Sequence, residues 1–180
     1  MKLVILDRDG VINHDSDRYI KSPSEWQPIP GSIEAIARLH QGGYRIVVAT
    51  NQSGIGRGLF DMATFSAMND KMMEMVFRQG GRIDALFFCP HTDADNCTCR
   101  KPKTGMYEEI ASRMHVELAG VPCVGDALRD LQVAEAVGGQ PILVLTGKGR
   151  KTREAGGLPR KTLVFADLAE VARHLLSAKE

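Results

Sequence analysis

The chain has 180 residues, of which 43% are hydrophobic and 25% charged, and its formal net charge is +1 at pH 7. These values are typical of one ordinary globular domain, and we expect a single domain over residues 1–180. The near-neutral charge excludes a strongly basic nucleic-acid-binding protein, and no apolar stretch approaches transmembrane length. Because a predicted strand begins at once and leaves no room for a secretory signal, we expect a cytoplasmic protein that contacts neither nucleic acid nor membrane.

Short apolar runs alternate with helical segments along the chain. The predicted strands are Leu3–Leu6, Arg45–Ala49, Ala85–Cys89, Cys123–Val124, Ile142–Leu145 and Thr162–Phe165. The predicted helices are Gly31–Gln41, Asp61–Gln79, Lys103–His115, Ala127–Val137 and Asp167–Ala178. Long loops are predicted for residues 13–30, 90–102 and 147–160. This alternation predicts an α/β fold of Rossmann-like type, with a parallel sheet flanked by helices.

Two aspartates follow the first predicted strand directly. Asp7 and Asp9 are two residues apart, so their side chains leave an extended backbone on the same side. In open α/β sheets, ligands bind where the strands end. Two carboxylates at such a place suit a hard cation such as Mg²⁺, and one of them could attack phosphorus as a nucleophile. Taken alone, the segment is equally compatible with an aspartate-rich turn.

Three further motifs lie next to later strands or helices. Thr50 and Asn51 end the second strand, where a hydroxyl and loop N–H groups can hold an anionic oxygen. Arg100 and Lys101 form a cationic pair that could bind phosphoryl oxygens, although a solvated basic loop has the same composition. Asp126 follows the fourth strand, and a second acid comes four residues later. None of these motifs determines a function by itself.

The order of these motifs resembles the haloacid dehalogenase (HAD) superfamily of phosphatases, whose DxDG, TN, K and GDxxxD signals are matched between residues 7 and 130. The resemblance implies that Asp7 is the nucleophile and forms an aspartyl-phosphate. It implies that Asp9 acts as general acid and then as general base, and we expect a neighbouring carboxylate to raise the pKa of Asp9 for this role.

The same resemblance implies roles for the other motifs. Thr50, with the backbone of Asn51, would hold the phosphoryl oxygens. Lys101 would neutralise the nucleophile and the phosphate, with Lys103 as its rival for that role. The Mg²⁺ ligands would be the carboxylates of Asp7 and Asp126 together with the backbone carbonyl of Asp9.

A second metal site is predicted within the loop that precedes the catalytic lysine. Cys89, His91, Cys97 and Cys99 lie within eleven residues, and three thiolates with one imidazole suit tetrahedral Zn²⁺ in a closed, structural site. A set of free thiols is the alternative. Zinc at this place would fold the loop and fix Arg100 and its neighbouring lysine against the substrate.

The zinc loop of the form CPH…CxCRKP, together with DRDGVIN, resembles the heptose 1,7-bisphosphate phosphatases in particular. This implies removal of the C7 phosphate of D-glycero-D-manno-heptose 1,7-bisphosphate, within carbohydrate metabolism for lipopolysaccharide. Arg100 and Arg129 are candidates for binding the second phosphate. The segments after Gly10 and Gly54 are too short for a cap domain, so we expect loops to shape the site and the protein to be a monomer. Two alternatives stay open: a phosphatase for histidinol phosphate or another small phosphomonoester, and a zinc-stabilised interaction module.

Overall fold

The computed structural model describes residues 2–177, and within this range six strands form one parallel sheet in the order β3-β2-β1-β4-β5-β6. The strands are β1 (Lys2–Leu6), β2 (Tyr44–Asn51), β3 (Ala85–Cys89), β4 (Pro122–Gly125), β5 (Gln140–Val144) and β6 (Leu163–Phe165). The helices are α1 (Ser32–Gln41), α2 (Ser53–Gly56), α3 (Met62–Arg78), α4 (Gly105–Met114), α5 (Leu128–Ala136), α6 (Gly149–Ala155) and α7 (Leu168–Ser177). The predicted parallel sheet flanked by helices is confirmed.

Both faces of the sheet are buried, which explains why the strands are continuous apolar runs. In β1, Val4 and Leu6 belong to one hydrophobic core, while Leu3 and Ile5 belong to another on the opposite side. Helices α1, α3 and α7 cover the first side, which we call the α3 face. Helices α4 and α5 cover the second side, which we call the α4 face.

The sequence around α3 sets both its start and its buried side. The Asp61 side chain accepts a hydrogen bond of 2.8 Å from the Thr64 N–H, which satisfies one of the free donors at the helix start. Phe65, Met68 and Met72 then recur at helical spacing, and all three are buried on the α3 face. The helix therefore begins where the predicted cap lies.

Two short helices occupy segments for which the sequence predicts loops. Helix α2 follows β2 almost directly, and α6 lies within the predicted loop 147–160. The sequence of α6 is GRKTREA, and Gly149 is its only buried residue, so it has no hydrophobic period that would reveal a helix. The last predicted helix extends to Ala178, which lies outside the described residues. None of the helices within residues 2–177 is long and apolar enough to cross a membrane.

The strand order brings two of the predicted motifs side by side. After β1 the chain builds β2 and β3 on one side of that strand, and it then returns to place β4 on the other side. Such a change of direction leaves a crevice at the carboxyl ends of the two central strands, where ligands of this class of fold bind. Asp7 and Asp126 directly follow these two strands. The next element after Gly10 is α1, and the next element after α2, which contains Gly54, is α3, so neither segment carries a separate cap domain.

Candidate active site

Asp7 and Lys101 lie at the centre of this crevice, and Lys101 is only 1% exposed. Its Nζ lies 3.1 Å from Oδ1 of Asp7 and 2.7 Å from Oδ1 of Asp130. The same Nζ donates a hydrogen bond of 2.8 Å to the carbonyl of Ala49. The Asn51 side chain accepts from the backbone N–H of Lys101 at 3.0 Å and donates to its carbonyl at 3.1 Å. The lysine is therefore a fixed cation beside the predicted nucleophile.

Lys103, the alternative candidate for neutralising the nucleophile, makes different contacts from Lys101. Its Nζ donates to the carbonyl of Cys97 at 2.6 Å and to Oδ1 of Asn96 at 3.2 Å. It therefore stabilises the cysteine loop, whereas Lys101 contacts the carboxylate of Asp7.

Asp9 is held by hydrogen-bond donors on both of its oxygens. Oδ1 accepts from Nε of Arg8 at 2.8 Å and from Nδ2 of Asn13 at 2.9 Å, while Oδ2 accepts from Nε2 of Gln52 at 3.0 Å. Burial would raise the pKa of Asp9, but the Arg8 guanidinium and these hydrogen bonds outweigh it and hold the pKa below its usual value. The expectation that a neighbouring carboxylate raises this pKa is therefore wrong.

Gln52 also connects Asp9 to the predicted phosphate ligand. The same Nε2 atom lies 2.9 Å from the hydroxyl oxygen of Thr50 and donates to it. Thr50 is buried at the end of β2 and borders the crevice. The Thr50 hydroxyl donates a long hydrogen bond of 3.5 Å to the carbonyl of Asn51, and an anionic oxygen in the crevice could accept this hydrogen instead.

Three carboxylates in the crevice have oxygens within 4.8 Å of one another: those of Asp7, Asp126 and Asp130. Burial, opposed by Lys101 and assisted by Asp130, raises the pKa of Asp7 to about 6. Burial and the two other carboxylates raise the pKa of Asp126 to about 8. The raised pKa values show that these buried carboxylates lack enough positive charge nearby, and their oxygens are the ligands that a hard divalent cation prefers. The donor set therefore fits Mg²⁺, while a contribution from the Asp9 carbonyl stays a prediction.

Asp130 differs from the other two acids in its partners. It pairs with Lys101, and its Oδ2 accepts the N–H of Ala127 at 3.1 Å at the start of α5. It therefore acts on the site by holding the lysine.

Backbone atoms pack closely against one side of the Asp126 carboxylate. The N–H of Lys148 donates to its Oδ2 at 2.8 Å. A Cβ atom at Gly10 or at Gly147 would overlap this carboxylate, and both glycines have a positive φ, of 87° and 54°. Only glycine combines that conformation with so close an approach.

The carboxylates open into a cavity of about 190 Å³, whose lining includes the predicted substrate ligands Asn51, Arg100 and Arg129. Arg129 is half-buried, and its Nε has no hydrogen-bond partner among the described residues. Nε of Arg100 lies 2.7 Å from Oδ1 of Asp93. Two guanidinium groups thus border the space in front of Asp7, where a second anion of a substrate could bind.

A loop between Gly10 and α1 covers one side of this cavity. Asp15, Asp17 and Tyr19 from this loop line the cavity. Next to it lies a second cavity of about 610 Å³, which Asp15 and Asp17 also line, together with His14 and Lys148. The two cavities therefore share side chains of this loop and Lys148 in their linings.

The loop is fixed at its base against α3. Nζ of Lys71 donates to the carbonyls of Pro23 and Trp26 at 2.8 and 2.7 Å. The Trp26 ring is fully buried, and the N–H of His14 donates to the carbonyl of Gln27 at 2.9 Å. The part of the loop that faces the cavity is thus held between two anchored ends.

The four predicted zinc ligands converge in the loop between β3 and α4. Sγ of Cys89 lies 3.6 Å from Sγ of Cys97, 2.9 Å from Sγ of Cys99 and 3.6 Å from Nδ1 of His91. Tetrahedral Zn²⁺ with bonds of about 2.3 Å requires ligand atoms roughly 3.8 Å apart. The separations of 3.6 Å are close to this value, while Cys89 and Cys99 lie closer together. Three thiols and one imidazole are a donor set that fits zinc, and Cys123, which lies on β4, is not among them.

Sequence reasoning missed Arg8 and Gln52, although both contact Asp9 directly. For Arg8 a signal existed: Val4 and Leu6 point to the α3 face, and alternation along β1 assigns Arg8 to the same face. The acid pair Asp7 and Asp9 belongs to the opposite side of the same alternation, so the acid motif alone does not point to Arg8. Nothing comparable distinguishes Gln52 from an ordinary turn residue.

Comparisons with known proteins agree with this geometry. The HAD-hydrolase-like family model matches residues 98–171. The chain is 59% identical to D-glycero-beta-D-manno-heptose-1,7-bisphosphate 7-phosphatase of Bordetella bronchiseptica over 98% of both chains, and 53% identical to that of Neisseria meningitidis over 98% of this chain and 95% of the relative. A crystal structure of the B. bronchiseptica enzyme with magnesium and phosphate superposes with a TM-score of 0.98, at 58% identity over 99% of both chains.

Identity of this extent over nearly the full length of both chains decides whether the chain is an enzyme or an interaction module. The chain is a HAD phosphatase rather than a zinc-stabilised interaction module. It belongs to the family of the D-glycero-beta-D-manno-heptose-1,7-bisphosphate 7-phosphatases.

Proposed function

We propose that the chain removes the C7 phosphate of D-glycero-beta-D-manno-heptose 1,7-bisphosphate through an aspartyl-phosphate on Asp7. The observation that carries the proposal is the pairing of Asp7 with the buried cation of Lys101 at 3.1 Å, at the mouth of a cavity that Asp9 also lines. The relatives that share this substrate in their names match the chain almost from end to end.

In the first step, an oxygen of Asp7 attacks phosphorus while the bond between phosphorus and the sugar oxygen breaks. A carboxylate and a phosphate dianion repel each other, and Lys101 offsets that repulsion. The Thr50 hydroxyl and the Asn51 N–H hold the phosphoryl oxygens. Asp9 gives its proton to the departing sugar oxygen. It acquires that proton when the substrate binds, because the approaching dianion raises its pKa.

In the second step, water attacks the phosphorus of the aspartyl-phosphate. Asp9 is now a carboxylate and takes a proton from this water, while the bond from phosphorus to Asp7 breaks. Phosphate leaves, Asp7 is restored, and Asp9 holds a proton again. When bound between Asp7, Asp126 and the Asp9 carbonyl, Mg²⁺ supplies positive charge that further offsets the repulsion between nucleophile and phosphate.

The second phosphate of the substrate would be bound at the rim of the cavity. Arg100 and Arg129 present guanidinium groups there, and such groups bind phosphate oxygens in pairs.

Zn²⁺ bound by Cys89, His91, Cys97 and Cys99 has a structural role in this proposal. The loop that carries these ligands continues directly into Arg100 and the catalytic lysine. We also propose a cytoplasmic monomer whose residues 1–180 form one domain. No disulfide links the described cysteines, which suits a reducing compartment.

The experiment that tests the substrate is a comparison of kcat/KM for both anomers of heptose 1,7-bisphosphate, histidinol phosphate and hexose bisphosphates. We expect one heptose anomer to exceed all other substrates at least tenfold, which is about 1.4 kcal/mol of transition-state discrimination. Equal activity on histidinol phosphate would overturn the substrate and leave the phosphatase chemistry in place. Asp7→Asn is the blank.

A further inference from the structure

Arg8 is a charged side chain with no exposed surface at all. Its Nε and Nη2 lie 2.8 and 3.4 Å from the two oxygens of Asp9, and its Nη1 donates to Oδ1 of Asn69 on α3 at 3.1 Å. Its guanidinium carbon lies 5.5 Å from the centre of the Phe65 ring. The guanidinium thus spans the space between the α3 face and the carboxylate of Asp9.

An apolar residue at this position would continue the pattern of Val4 and Leu6 without the cost of burying a cation. A guanidinium at the same place offers instead a planar set of donors that matches the edge of a carboxylate. The backbone N–H of Arg8 donates to Oδ1 of Asp7 at 2.8 Å. One residue therefore contacts both carboxylates of the acid pair.

We propose that Arg8 is a positioning residue that fixes the Asp9 carboxylate for proton transfer, with Asn69 as the anchor that fixes Arg8. The inference rests on the proposed role of Asp9 as general acid and base. Asn13 and Gln52 contact Asp9 from the loop side, whereas Arg8 alone contacts both of its oxygens. Without Arg8 the carboxylate can rotate about its side-chain bonds, and the proton is no longer held in line with the departing oxygen.

The role predicts a selective defect. An alkoxide leaving group must receive a proton as its bond to phosphorus breaks, whereas p-nitrophenolate is stable enough to leave without one. Loss of Arg8 should therefore slow the formation of the aspartyl-phosphate from alkyl phosphates far more than its formation from p-nitrophenyl phosphate. A residue that only stabilises the fold would change both activities by the same factor.

The test compares wild type, Arg8→Met, Arg8→Lys and Asp9→Asn on the heptose bisphosphate, on a series of alkyl phosphates and on p-nitrophenyl phosphate. We expect Arg8→Met to lower the rate of leaving-group release in the first turnover by about 100-fold on the alkyl substrates and by less than about tenfold on p-nitrophenyl phosphate, as for Asp9→Asn. Arg8→Lys should restore part of the loss. Equal losses on the two kinds of substrate would overturn the proposal.

Asn69→Leu provides a second test, because it removes the anchor of Arg8 without touching either carboxylate. We expect the same selectivity with a smaller loss of rate. If the ratio of the rates on alkyl and aryl substrates equals that of wild type, the proposal is overturned, even where Arg8→Met fails to fold. Arg82→Met is the matched control, since its side chain is largely exposed and pairs only with Asp84. Lack of alkyl phosphate hydrolysis by wild type would instead refute the proposed function.

Discussion

Replacement of Lys101 by methionine tests how much the stability and the activity of the protein depend on this buried cation. Lys101 pairs with Asp7 at 3.1 Å and with Asp130 at 2.7 Å. At an effective dielectric constant of about 20, these distances correspond to roughly 5 and 6 kcal/mol of attraction before desolvation is subtracted. Removal of one partner from a buried ion pair typically costs a net ~3–5 kcal/mol, because the other charge stays buried and unpaired.

The cost should depend on pH in a defined direction. Burial already raises the pKa of Asp7 to about 6, and Lys101 opposes this rise, so its loss raises the pKa further. An acid whose pKa is raised by folding contributes stability below its unfolded pKa and loses it as the pH rises through the folded value. The variant should therefore lose the full ~3–5 kcal/mol near pH 8 and clearly less near pH 5.

Urea unfolding of the metal-free protein at the two pH values measures this difference, and kcat/KM should fall at least about 100-fold in parallel. Lys103→Met is the matched control: its Nζ contacts Asn96 and the Cys97 carbonyl, and we expect activity within a few-fold of wild type. A stability loss below about 1 kcal/mol near pH 8, or one that is equal at both pH values, would refute the reasoning.

Three further predictions concern the metals and the loop. Mg²⁺ affinity should rise at least about tenfold from pH 6 to pH 8, because bound Mg²⁺ displaces a proton from Asp126, whose pKa is raised to about 8; calorimetry that gives equal affinities would contradict this. Cys99→Ser, or a strong chelator, should release bound zinc and lower Tm, and a protein with full activity and unchanged Tm after zinc loss would exclude a structural zinc. Lys71→Met removes the hydrogen bonds to Pro23 and Trp26, so KM for the heptose bisphosphate should rise several-fold while p-nitrophenyl phosphate hydrolysis stays unchanged; equal effects on both substrates would contradict a role confined to the loop.

The parallel sheet could be predicted because hydrophobic periodicity is a local property of the sequence. Each predicted strand overlaps an observed one, and β1 differs from its prediction only by the inclusion of Lys2. The acids at the ends of β1 and β4 could then be assigned to a ligand site, because ligands bind where parallel strands end. By contrast, α6 contains Gly149 and six polar or small residues, so its helical form depends on its place against β5 and the crevice rather than on its own pattern.

The electrostatics of the site could not be predicted from the acid pair alone. The acids around the predicted site suggested that a neighbouring carboxylate raises the pKa of Asp9. In the folded chain, Arg8 and Gln52 bind Asp9 from elements that are distant from each other in sequence, and they reverse the direction of its shift. Gln52 follows β2 and reaches Asp9 only through tertiary structure, whereas Arg8 is its neighbour in the sequence and pairs with it only in the conformation that the fold imposes.

The most direct test of the account is the detection of a phosphoryl group on Asp7. Asp9→Asn should slow the hydrolysis of the intermediate but not its formation from p-nitrophenyl phosphate, whose leaving group needs no proton. Acid quenching of this variant during turnover of p-nitrophenyl phosphate, followed by mass spectrometry of its peptides, should reveal one phosphoryl group on Asp7. The same treatment of an Asp7→Asn, Asp9→Asn double variant should reveal none. Phosphate release by wild type that persists in Asp7→Asn, at a comparable rate and with no phosphorylated aspartate, would contradict the account.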